Sequence, residues 1–75
     1  MEGDLQKTVG GAVRRVRQDR RLSQEELAEE LGMHRTWVGG VERGERNLTL
    51  RSVERLAAGL GVDPGQLLST GDAAS

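Results

Sequence analysis

Four residues fix most of what this 75-residue chain can become: Ala28, Gly32, Val38 and Val41. Leu27, Ala28 and Leu31 share one helical face, Gly32 interrupts it, and Val38 and Val41 resume an i, i+3 apolar pattern on a second helix. Ala28 is small where the two helices cross. Gly32 can take the φ > 0 conformation that ends one helix and redirects the chain, which a residue with a Cβ adopts only at a cost. The stretch Gln24 to Gly44 therefore predicts two short helices held at a fixed angle by a tight turn.

This is helix-turn-helix spacing, and it suits a protein that lays its second helix in the major groove of DNA. The same turn would also serve an αα-hairpin in any small helical bundle, so the side chains on the second helix have to carry the argument. With Val38 and Val41 turned inward, the outward positions are Arg35, Thr36, Gly39 and Arg43, with Trp37 and Gly40 at the flanks. Arg35 can donate two hydrogen bonds to guanine O6 and N7, and Thr36 offers a methyl to thymine or a hydroxyl to another base edge. Gly39 and Gly40 together cost roughly 2 kcal/mol against alanine inside a helix. That cost points to a surface that approaches closely, either a DNA backbone or a neighbouring helix. Trp37, the sole aromatic, fits a core anchor and a phosphate-facing flank equally well.

Composition narrows the alternatives. There are no cysteines and one histidine, His34, which removes disulfides, zinc fingers, thiol chemistry and any metal cluster. With no nucleophile beside a base, no paired carboxylates in an apolar setting and no cofactor site, an enzyme is the weakest class. The polar N-terminus, MEGDLQK, and the lack of a long apolar run predict a soluble cytoplasmic protein without a membrane partner. A net charge of −1 and a pI near 5.8 speak against an indiscriminate nucleic-acid binder. Distribution matters more than the sum, since arginines at ten positions face carboxylates gathered at Glu25, Glu26, Glu29 and Glu30.

Read in order, Leu5, Val9, Ala12, Val13 and Val16 predict a first helix from about Leu5 to Arg20, with frayed first turns because of Gly10 and Gly11. Residues 1–8 are then an N-terminal arm and the start of helix 1, residues 9–68 the helix-turn-helix domain, and 69–75 a disordered tail. Ser23 and Glu26 form a capping box for the second helix, with Gln24 in its first turn placed to reach a phosphate. Arg17 falls on the apolar stripe of the first helix and needs a carboxylate; Glu42, beside Val41, is the natural partner and would fix the angle of the third helix. The third helix is expected from about Arg35 to Arg43. Arg46 and Asn47 follow it in a loop, within reach of a base or the sugar-phosphate backbone. Thr49 caps a fourth helix with Leu50, Val53, Leu56, Ala57 and Leu60 on its stripe, closed by Gly61. Asp63, Pro64 and Gln66 start a fifth, bracketed by Val62 and Leu67 as a hydrophobic staple. The fold class is all-α, with five helices.

With these residues in place, the runs LSQEELAEELG, RTWVGGVERGERN and LRSVERLAAGLGV resemble the lambda-repressor-like, xenobiotic-response-element family of five-helix regulators from Val9 to Leu68. Within it, RTWVGGVERGERNLTL is most similar to the controller proteins of restriction–modification systems, small dimeric regulators that first activate and then repress their own operon. The resemblance implies base contacts from Arg35, Thr36 and Arg46, and backbone contacts from Gln24, Trp37, Arg43 and Asn47. It also implies double-stranded DNA with a palindromic operator as partner and the Arg17–Glu42 pair. Activators of this kind touch the sigma subunit of RNA polymerase with acidic residues at the positions held here by Glu25 and Glu29. Two positions depart from the controller pattern. Gly39 stands where a serine is common, removing one side-chain contact, and His34 stands where aspartate or serine caps the reading helix, so a weaker cap is expected at neutral pH.

A homodimer is expected through the fifth helix and the end of the fourth, with Val62, Leu67 and Leu68 as contacts, although the staple would also place Val62 and Leu67 inside the monomer core. The competing class is a protein-interaction module, such as an antitoxin-type regulator that binds a protein partner; prophage repressors share the same pattern. Exposed apolar residues beyond the core would favour that class, and salt-dependent binding to a palindrome would favour the regulator.

Overall fold

The computed structural model describes residues 2–68, five helices in the order α1 (Glu2–Asp19), α2 (Gln24–Leu31), α3 (Arg35–Glu42), α4 (Leu50–Leu60) and α5 (Pro64–Leu68). The expected tail over 69–75 lies outside the described residues. Helix α1 packs against α3, α4 and α5, α2 against α3 and α4, and α4 against α5. One core results. Val9, Ala12, Val13, Leu27, Ala28, Leu31, Val38, Val41, Val53, Leu56, Ala57, Leu60 and Leu67 are buried in it, with Val16, Met33, Trp37, Leu48 and Val62 packed around them. Among the described residues no helix is long and apolar enough to cross a membrane, and no group of three or more His, Cys, Asp or Glu could hold a metal ion.

The caps explain where the helices begin. Ser23 and Glu26 exchange hydrogen bonds of 3.0 and 2.8 Å across the first turn of α2, and the Thr49 hydroxyl accepts from the Ser52 amide at 3.1 Å to start α4. At α5, the Gln66 side-chain oxygen Oε1 accepts from the Asp63 backbone amide at 2.9 Å. Helix α2 ends where Gly32 takes φ +68°, and its last carbonyl, that of Leu31, accepts 2.8 Å from the Arg55 guanidinium on α4. Nothing in the local sequence marks Arg55 for that task. At the start of α3 the cap is made by His34: its Nδ1 accepts from the Thr36 amide at 3.1 Å, with the Thr36 hydroxyl 2.8 Å away, so an imidazole nitrogen occupies the place of the usual aspartate or serine oxygen.

Two further differences concern α1 and the apolar stripes. Helix α1 begins near Glu2 and runs unbroken through Gly10 and Gly11 instead of fraying. The reason is tertiary. Gly10 is buried where α1 crosses the end of α3, with no room for a Cβ against the carbonyls of Val41 and Glu42. Leu5 and Leu50, expected on inward stripes, are 52% and 66% exposed. Each lies in the first turns of its helix, beyond the edge of a core that a chain of this length can only partly extend.

Candidate nucleic-acid interface

Helix α3 divides as its spacing requires except at Gly39, expected outward but buried beneath Arg43 and Gln24. Val38 and Val41 are fully enclosed, while Arg35, Thr36 and Arg43 face solvent. Its orientation is fixed from behind by the Glu42 carboxylate, whose side chain is 4% exposed. Arg17 on α1 donates to it twice, from Nε at 2.6 Å and Nη2 at 3.0 Å, and gives a third bond, from Nη1, to the Leu22 carbonyl at 2.8 Å. The hydrogen bonds that Arg17 donates to Glu42 raise its pKa above the usual value, against the opposing effect of burial, so this arginine stays charged under all ordinary conditions. Gln24 Nε2 on α2 donates to the same carboxylate at 3.0 Å. Three helices thus meet on one buried acceptor, and the angle at which α3 is presented is set there.

Two exposed arginines, Arg35 at the start of α3 and Arg43 at its C-cap, each hold a carboxylate loosely. Arg35 Nη1 lies 3.2 Å from Glu25 Oε2, with side chains 62% and 70% exposed, and Arg43 Nε lies 3.0 Å from Glu45 Oε1. Pairs this open contribute little and are screened by salt, so both guanidinium groups are free to exchange a carboxylate for a base edge or a phosphate. The Arg43 guanidinium and the Gln24 amide lie over Gly39, and the stem of Arg46 lies over Gly40. The paired glycines that looked costly in the sequence are therefore covered by long polar side chains of this same chain.

The loop after α3 is held by the start of α1. Gln6 Nε2 donates to Asn47 Oδ1 at 2.8 Å, and Lys7 packs against Gly44, which turns the chain at φ +74°. This bond occupies the Asn47 acceptor and leaves its amide N–H groups, the atoms that suit a phosphate. Likewise one of the two Gln24 amide hydrogens is used by Glu42 and the other remains. Gln6 has no signal in the sequence, because its partner is 41 residues away. Trp37 is half-buried, packed against the core and lining a small cleft with Leu31, Met33, Ser52, Arg55 and Leu56. On the other side of Arg35, an open cleft is lined by Glu25, Glu26, Glu29, Met33 and His34.

The residues expected at a dimer contact separate. Leu67 is fully enclosed in the monomer, Val62 is packed against the core, and only Leu68, 38% exposed, is open. Leu67 therefore cannot serve as a contact while the monomer core is intact; the staple position decides its burial. Leu68 instead lines a cleft of about 200 Å³ with Leu5, Gln6, Val9, Leu48, Thr49, Leu50 and Val53. The three exposed large apolar side chains of the described residues, Leu5, Leu50 and Leu68, all border it.

The sequence matches a family described as a helix-turn-helix domain over residues 8–69. It is 39% identical over 69 residues to control protein C.BamHI of Bacillus amyloliquefaciens, spanning 91% of this chain and 85% of that protein. To control protein C.SmaI of Serratia marcescens it is 44% identical over 66 residues, 88% of this chain and 79% of that one. The crystal structure of the restriction–modification controller protein C.AhdI from Aeromonas hydrophila superposes with a TM-score of 0.81 at 39% identity, covering 88% of this chain and 96% of that one. An outward arginine-bearing second helix, the buried pair that fixes its angle and these matches at similar length agree: the chain belongs to the helix-turn-helix family of DNA-binding transcription regulators, among the restriction–modification controller proteins.

Proposed function

We propose that this regulator binds a palindromic operator as a homodimer, with Arg35, Thr36 and Arg46 reading bases and Gln24, Trp37, Arg43 and Asn47 holding the backbone. The observation that carries the reading is the face of α3. Arg35, Thr36 and Arg43 are exposed on a helix whose other face is fully buried and whose angle is fixed by Glu42. A protein that only bound another protein would have no need of that arrangement. Arg35→Ala is expected to lower operator affinity by about 1–3 kcal/mol and relax preference at one base pair, whereas Arg43→Ala weakens all sequences alike. Selection of binding sites from a random pool by both variants decides it. Uniform loss for Arg35→Ala would refute the base-reading role.

For the dimer, the cleft bordered by Leu5, Leu50 and Leu68 supports a contact at the start of α1, the start of α4 and the end of α5. The same patch is what a protein-interaction module would display. A second copy is the occupant we favour, because one reading helix covers only a few base pairs and a palindromic site needs two. The acidic face of α2, with Glu25 and Glu29 exposed beside the reading helix, supports contact with the sigma subunit of RNA polymerase, since carboxylates facing phosphate would weaken DNA binding. The regulated operon is then one encoding a restriction–modification system.

A further inference from the structure

We infer that Gly40 is a positioning residue for DNA recognition: the Cβ it lacks makes a notch on α3 that holds the stem of Arg46 in one conformation. The inference rests on the reading of Arg46 as a base contact. Glycine is among the least favourable residues inside a helix, so its presence at an interior position of α3 asks for a reason. Backbone conformation is not the reason, since the positive-φ glycines are Gly32, Gly44 and Gly61. Close approach of another helix is not the reason either. The three atoms nearest to a Cβ placed on Gly40 all belong to Arg46: Nε at 2.9 Å, Cγ at 3.1 Å and Cδ at 3.5 Å. At Gly10, by contrast, the obstructing atoms are backbone atoms of α3.

The chain is folded back to make this contact. Gly44 turns at φ +74°, the Glu45 amide donates to the Gly40 carbonyl at 2.9 Å, and Arg46, the next residue, then lies across the notch. Arg46 remains exposed overall, so its stem rests on α3 while its charged end meets solvent. An arginine loses much rotamer freedom when it docks on a base. A side chain already lying in one groove of the protein surface loses less, and its guanidinium arrives at a defined place beside α3. A methyl group at position 40 must push the middle of that side chain outward, because the crowded atoms are Cγ and Nε and not a free tip.

The experiment measures operator affinity and melting temperature for Gly40→Ala, Arg46→Ala and the double variant, with Gly11→Ala as a control. Gly11 is an exposed helical glycine with nothing near its missing Cβ, so it reports helix propensity alone. Gly40→Ala should bind the preferred operator about three- to tenfold more weakly. The loss should concentrate at the base pair where Arg46→Ala relaxes preference. On the Arg46→Ala background the same change should cost no further affinity and should raise the melting temperature, as Gly11→Ala does. Three results overturn the inference. If Arg46→Ala binds normally, the base-reading role of Arg46 fails and the notch has nothing to position. If Arg46→Ala is impaired but Gly40→Ala is not, the base contact stands and the notch alone fails. If Gly40→Ala is equally costly with and without Arg46, the Cβ obstructs something other than this side chain.

Discussion

The buried carboxylate of Glu42 gives the sharpest test of how this fold is held. Arg17→Met keeps most of the aliphatic stem and removes the charge, leaving Glu42, 4% exposed, with only the 3.0 Å bond from Gln24. Breaking a buried ion pair from one side costs about 3–5 kcal/mol, because the remaining ion is stranded. Gln24 stays as a donor, and Arg17 itself is 12% exposed, so the lower end, about 3 kcal/mol, is expected. A domain of this length has a total stability on the order of 4–11 kcal/mol. The change should therefore remove a large share of it and lower the melting temperature by about 12–24 °C. Urea denaturation followed by circular dichroism and by the emission of half-buried Trp37 measures this directly. The Leu22 carbonyl also loses its partner, which adds to the loss.

The double variant Arg17→Met, Glu42→Leu separates the ion from the packing. With neither charge left, most of the lost stability should return. Operator affinity should stay low, because Gln24 then has no acceptor to hold it beside Gly39. The raised Arg17 pKa adds a sign that can be checked. Its contribution is complete below the unfolded-state value and is lost only as pH rises through the still higher folded-state value, far above neutrality. Deprotonation of Arg17 therefore predicts no loss of stability between pH 6 and 9. A loss below about 1 kcal/mol for Arg17→Met would refute the view that this pair fixes the α1–α3 geometry.

Leu50→Asp, at the rim of the apolar cleft, should leave the monomer folded and shift sedimentation from dimer to monomer; a wild-type monomer at high micromolar concentration would sink the dimer reading, and capture of a different protein by this face would favour an interaction module. Glu29→Gln should preserve operator binding and reduce promoter activation in a reconstituted transcription assay, and unchanged activation would mean that the acidic face is only a solvated helix surface. Arg21→Gly should raise stability by about 0.5–1 kcal/mol in chemical denaturation: Arg21 holds φ 58° at the end of α1, where a left-handed non-glycine residue costs roughly 1–2 kcal/mol and glycine's extra unfolded-state entropy cancels part of the gain.

What the sequence made legible was what it encodes locally. Ser23, Thr49, Gly32 and Gly61 mark helix ends by chemistry that acts within one turn, and the spacing of Ala28, Gly32, Val38 and Val41 carries the central motif. The end of α1 was harder to see because it turns on Arg21, a residue without the usual preference for that conformation. Arg55 capping α2 from α4, Gln6 holding Asn47, and the start of α1 packing on Gly44 all join residues far apart in the chain, where no periodicity points from one to the other. Burial differs from the helical phase in both directions: Gly39, on the outward face of α3, is buried under Arg43 and Gln24. Leu5 and Leu50 keep the helical phase of the core but lie past its edge, since phase tells which way a side chain points and says nothing of whether another element reaches it.

The candidate site shows a related limit, and it bears on how activation has to be tested. The sequence places Glu25 and Glu29 on a single acidic face and Arg35 on another helix. In the structure Arg35 Nη1 lies 3.2 Å from the Glu25 carboxylate, so the first member of the acidic face is in contact with the first member of the reading face. Glu29 lines the same open cleft as Glu25 but, among the described residues, forms no such ion pair with α3. The pair is too exposed to add much stability, but it biases where the Arg35 side chain rests, and under the proposed base-reading role it would have to open or rotate for a guanine to take the same donors. A change at Glu25 therefore acts on operator binding and on any polymerase contact together, and a combined Glu25 and Glu29 variant cannot assign a lost activation to either one. The two carboxylates have different surroundings despite lying on one helix. Activation is to be judged on Glu29→Gln alone, with Glu25→Gln measured first for its effect on base preference.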